Sequence, residues 1–114
     1  MLTLAMLMSA GNPPEAIIIS EDKFLIDCYE AIGCTSIETI TLDTTVGRAL
    51  IVCDDEALLK DHVPLPSIAV ADRGQFIYGK CLVFGYDESC PSDPFTDIPR
   101  RMQRYLSHSP VLVV

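Results

Sequence analysis

Gln75-Phe-Ile-Tyr-Gly-Lys-Cys-Leu-Val-Phe-Gly-Tyr-Asp87 is the stretch whose reading decides the fold. Its aromatic and β-branched residues suit a pleated, half-buried surface, and Gly79 and Gly85 break it too often for a helix. A glycine inside such a run marks a place where a neighbouring backbone approaches closely. The stretch is therefore expected to be the central strand, with smaller strands and one helix placed before it and a closing helix after it.

Working outward, residues 2 to 8 and 16 to 20 are two short apolar runs joined by Ser9 to Glu15, whose Gly-Asn-Pro-Pro core is turn chemistry. They predict a hairpin. Ser20 stands at a helix N-cap position, Glu21 and Asp22 suit a first turn, and Gly33 suits the position just past the end. Leu25, Cys28, Tyr29 and Ile32 recur on one helical face. Thr35 to Leu42 and Val46 to Cys53 predict a second hairpin. Asp54 to Lys60 can begin a short helical turn capped by Asp54. The prolines at 64 and 66 prevent its continuation, so residues 54 to 74 are expected to be mostly connection, where binding residues tend to collect.

After a second loop, Thr96 can cap a last helix with Pro99 in its first turn and Ile98, Met102, Tyr105 and Leu106 buried. That placement puts Arg100, Arg101 and Arg104 beyond the first turn. Val111 to Val114 is a sixth short strand or a partner-binding tail; left exposed, it would favour a homodimer. The resulting expectation is one α+β domain over residues 1 to 114. It has a mainly antiparallel five- or six-stranded sheet with both helices on one face, in the order ββαβββα.

The chain has 114 residues, 16 acidic and 8 basic, for a formal net charge of -8. Such a surface repels phosphate backbones, so direct nucleic-acid binding is excluded as an expectation and a basic protein partner is favoured. No run approaches the ~20 apolar residues of a membrane span, and the first eight residues lack the positive flank of a signal peptide. Five cysteines rule out a complete intramolecular disulfide set and suit the cytoplasm.

Chemistry-bearing patterns are weak. The cysteines and His62 and His108 form no paired metal knuckle, so neither a metal nor a cofactor is expected. No nucleophile elbow accompanies either histidine, and the chain is read as noncatalytic. Gly74, Gly79 and Gly85 lack the spacing of a phosphate loop. Asp54, Asp55, Glu56 and Asp61 form the densest acidic cluster, but without the glycine and glutamate of a calcium loop. They are the candidate protein-binding residues, able to dock on a basic surface. Arg48, Arg73 and Lys80, the basic residues near the sheet, are the candidate anion-binding residues of an alternative, a small-molecule or nucleotide-binding module.

The apolar first strand, Pro13-Pro14, Ile51-Val-Cys-Asp54, Pro64-Leu-Pro66, Ile77-Tyr-Gly-Lys-Cys-Leu-Val-Phe-Gly85 and the helix around Thr96 to Leu106 together resemble a family of small proteins of unknown function. Bacteriophages, plasmids and other mobile elements carry that family. This chain departs from it at Asp55 to Ala57 and at Ser67-Ile68, where other members hold different polar residues. The resemblance implies a mobile-element accessory protein in a bacterial cytoplasm and supplies no active site. The function expected is binding to, and inhibition or modulation of, a host protein, with anti-defence activity as one form.

Overall fold

The computed structural model describes residues 2–71 and 73–114. In chain order the elements are β1 (Leu2–Met8), β2 (Glu15–Ser20), α1 (Phe24–Ile32), β3 (Ile37–Thr44), β4 (Gly47–Asp54), a 3-10 turn (Ala57–Leu59), β5 (Pro66–Ala71), β6 (Gln75–Tyr78), β7 (Cys81–Tyr86), β8 (Phe95–Thr96), α2 (Arg100–His108) and β9 (Val111–Val113). The main sheet runs β2-β1-β7-β4-β3, with β8 paired to β7, and all its pairings are antiparallel. A second sheet of three strands runs β6-β5-β9, with β9 parallel to β5. The α+β class and the six-stranded, mainly antiparallel sheet follow the sequence reading.

The stretch from Gln75 to Asp87 is two strands, not one. Gly79, at φ 79°, turns the chain out of β6 and Lys80 carries it into β7, in a different sheet. The positive φ favours glycine here, and a Cβ at Gly79 would also crowd Pro64 Cγ at 3.2 Å. β7 alone is the central strand, and Cys81 to Gly85 are all buried. Residues 54 to 74 hold more structure than expected: Pro66 opens β5, as proline can at the first position of a strand, and Ile68 and Val70 face the core.

The two helices lie on opposite faces of the main sheet, not on one. Leu50, Val52, Leu82 and Phe84 pack with Cys28 and Ile32 of α1. Their neighbours Ala49, Ile51, Cys53, Cys81 and Val83 pack with Met102 and Leu106 of α2 and with Ile68, Val70, Ile77 and Leu112 of the second sheet. An unbroken apolar run such as Leu50 to Cys53 has no solvent face, so both sides of the sheet must be covered.

Helix starts also shift. Ser20 ends β2, and its N–H donates to Asp27 Oδ2 at 2.8 Å; α1 starts three residues later than its acidic cap signal suggests. Phe24, not Leu25, joins the apolar face, stacking near Phe84 and Phe95 at 5.8 and 4.5 Å between centroids, while Leu25 is exposed. Gly33 closes the helix in the left-handed conformation, donating to Tyr29 O. Thr96 belongs to β8, and Pro99 takes the cap position of α2. Arg100 and Arg101 thus fall in its first turn, where cations oppose the helix dipole. Val111 to Val113 form β9 and Leu112 is fully buried, which removes the argument for a homodimer through an exposed tail. Among the described residues no helix is long and apolar enough to cross a membrane.

Candidate functional site

The loop that follows β4 begins with a carboxylate used by the fold. Asp54 is buried; its Oδ1 accepts from the Glu56 N–H at 2.9 Å and its Oδ2 meets Lys60 Nζ at 2.7 Å. Together these bonds hold the 3-10 turn Ala57–Leu59 against the end of the sheet. Burial works to raise the Asp54 pKa, but the hydrogen bonds from Lys60 and the Glu56 N–H, with the Lys60 charge, outweigh it and hold the carboxyl below its ordinary 3.8.

Because the unfolded chain then binds that proton more readily than the folded one, this contribution to stability is complete above the ordinary carboxyl range and fades as pH falls through the depressed value. Asp54 is not the cap of that turn, a position Glu56 takes without a side-chain bond; Asp54→Ala is expected to cost about 1 to 2 kcal/mol at neutral pH through the lost hydrogen bonds to its carboxylate. The gap between variant and parent in chemical denaturation should narrow on acidification below about pH 4; a gap independent of pH would contradict the assignment.

Asp55, Glu56 and Asp61 have a different role. They are exposed and carry no ion pair among the described residues. Between and after them the loop presents Leu58, Leu59, Val63 and Leu65, with Leu59 81% and Leu65 74% exposed. A cleft of about 320 Å³ opens beside the loop, with Ile40, Cys53 and Ile77 among its apolar lining, Glu38 and Asp55 adding carboxylates, and Leu58, Phe76 and Tyr78 contributed by the turn and β6. The sequence reading found the acids and missed these apolar partners. Their signal was present as Leu58-Leu59 and Val63-Pro-Leu65, large aliphatic residues in a segment with no strand or helix period to bury them.

The candidate anion-binding residues do not converge. Arg48 lies 2.6 Å from Asp43 and 3.2 Å from Glu88, with its guanidinium 5.0 Å from the centre of the Tyr86 ring. Lys80 precedes Cys81, the partner of Cys53, so it sits at the opposite end of β4, roughly 15–20 Å from Arg48 at strand rise. Arg73 is exposed in the turn between β5 and β6.

A larger cleft of about 410 Å³, lined by Phe24 and Phe95 and by Glu21, Asp87, Asp93 and Asp97, lies elsewhere on the surface. Two of its carboxylates already fasten backbone: Asp97 Oδ1 accepts from Leu4 N–H at 2.8 Å and Asp87 Oδ1 from Ser89 N–H at 3.0 Å.

No disulfide links the five cysteines. Burial, and then the charge of Glu38, pushes the Cys53 thiol up to about 12; burial does the same for Cys81, against a hydrogen bond from Ser67, and for Cys28, helped by Asp27. Thiols held in that form are poor nucleophiles at neutral pH. Alkylation of the native protein with iodoacetamide is expected to modify half-buried Cys90 and Cys34 and spare the other three, with all five labelled in denaturant. Rapid native labelling of Cys53 or Cys81, read by peptide mass spectrometry, would contradict this packing.

The sequence pattern of the family described as domain of unknown function DUF3846 matches residues 2–108. The chain belongs to this family. The match takes in every element up to the end of α2 and stops short of β9, the third strand of the second sheet. No curated protein and no solved structure matches it.

Proposed function

We propose that this DUF3846 protein is a noncatalytic accessory protein of a phage, plasmid or other mobile element. In this reading it works in the bacterial cytoplasm, binding a host protein with a basic surface and inhibiting or modulating it. The observation that carries the reading is the juxtaposition of exposed Leu58, Leu59 and Leu65 with Asp55, Glu56 and Asp61, none of which has an ion-pair partner among the described residues.

An exposed apolar patch rimmed by polar groups is a common mark of an interaction surface. The net charge of -8 would speed the encounter with a cationic partner, and burial of the leucines would then hold the complex. A host enzyme that grips nucleic acid in a basic groove offers such a surface.

Tagged protein and two variants, Asp55→Lys/Glu56→Lys and Leu59→Ser, are used to capture proteins from host lysate at low and high salt. The reading expects one dominant protein, lost at high salt and reduced about tenfold or more by either variant, a loss of about 1.4 kcal/mol in binding. Leu59 is too exposed for its substitution to disturb the core, so a lost partner is not a folding defect. Capture that ignores both variants, or no capture by the parent, would overturn the reading.

A further inference from the structure

β6 is an edge strand: it pairs with β5 on one side, and among the described residues no backbone bond ties Gln75 to Tyr78 to another segment on the other. Natural sheet edges are usually blunted by charges, proline or a covering segment. Gln75-Phe-Ile-Tyr78 carries neither a charge nor a proline, and Phe76 is 47% exposed. β3 is the edge strand of the main sheet, and its Glu38 and Ile40 line the same cleft as all four residues of β6. The two packed sheets therefore leave an open slot between their free edges, with carboxylates at Glu38 and Asp55 and apolar side chains within.

Building on the reading that this face binds a basic partner, we propose that the partner contributes an extended segment that adds to β6 as a further strand. The segment alternates cationic and aliphatic residues. Strand addition satisfies the unpaired N–H and C=O groups along about 13 Å of edge. The two-residue alternation of a strand then sends one set of side chains into the cleft beside Ile40, Cys53 and Leu58. Glu38 and Asp55 line the same cleft, so the cationic side chains of this inward set reach those carboxylates, and the aliphatic set runs along the outer face with exposed Phe76. A helical or globular contact would cover the leucines yet leave the β6 edge unpaired.

The probe is a capped seven-residue peptide alternating lysine with leucine or valine. It is compared with the same peptide N-methylated at alternate residues and with one whose lysines are glutamates. Amide hydrogen exchange is followed in the full chain. The proposal expects slowed exchange within Gln75 to Tyr78 on adding the lysine peptide, and affinity lowered about tenfold for each strand N–H blocked by methylation. It expects no protection from the glutamate peptide.

Three results would overturn it: no binding of the lysine peptide, binding with unchanged exchange at β6, or protection at the other main-sheet edge, β2, instead. The second of these would remove strand addition and leave the basic-partner reading standing. That reading is decided separately by the capture experiment and its charge-reversal variant.

Discussion

Replacing Phe84 with alanine is expected to destabilise the protein by about 4 kcal/mol, the largest single effect we anticipate. Phe84 is fully buried on β7, the middle strand of the main sheet, on the face covered by α1. Its ring lies 5.8 Å from Phe24 and 5.1 Å from Phe95 between centroids, the latter edge to face. Alanine removes the apolar contact and leaves a cavity that a strand paired on both sides cannot collapse to fill. It also takes away the surface on which Phe24 anchors the first turn of α1 and Phe95 anchors β8. With total stabilities commonly about 5–15 kcal/mol, the variant should lose much of its margin. Its denaturant midpoint should fall steeply with little change in slope. A loss below about 1 kcal/mol would mean that the aromatic cluster is not where the core is concentrated.

The second large effect is expected at Gly85→Ala, through crowding rather than a cavity. A Cβ there would stand 2.5 Å from Asp97 O and 3.1 Å from both Pro99 Cδ and Thr96 Cγ2. Two of those atoms belong to backbone or a proline ring, which cannot swing aside, so the segment must move off the strand. That segment is held by Ile98 N–H donating to Leu4 O at 2.9 Å and by the Gly85-Thr96 pairing, and it leads directly into α2. The cost is expected to be about 3 kcal/mol, with faster amide exchange in β8 and at Ile98 as the local signature. Normal stability in the alanine variant would contradict the close approach of this segment to β7.

These two positions also show what the sequence made legible. Gly85 inside an apolar run announced a close approach, and the run around Phe84 a central strand; both signals are local, and both held. Gly79 carried the same kind of signal, yet here the glycine ends one strand and starts another. A break between sheets is set by where Pro64 and β5 lie, and the sequence of the strand itself does not contain that information.

The same distinction separates the hairpins from the helices. Leu2 to Ser20 and Ile37 to Asp54 fold by contact between near neighbours; turn residues identified the first and a pair of strand-like runs the second. The side of the sheet taken by each helix depends on the alternation of Leu50 and Ile51 within an unbroken apolar run, where either face could have been chosen. At the candidate site, charge marked Asp55, Glu56 and Asp61 as unusual. The role of Asp54 depended on the reach of Lys60, and the apolar half of the surface on which leucines failed to find a core. Those are tertiary facts.

The account turns on whether the face around Leu59 meets a partner. The most direct test places a photo-crosslinking amino acid at Leu59 and, in a separate protein, at Ile26, an exposed position on α1. Both are irradiated in bacterial cells that produce the protein. The account predicts one dominant covalent adduct from position 59, diminished when Asp55 and Glu56 are reversed to lysine, and none from position 26. An adduct from position 26 alone, or none from position 59, would contradict it.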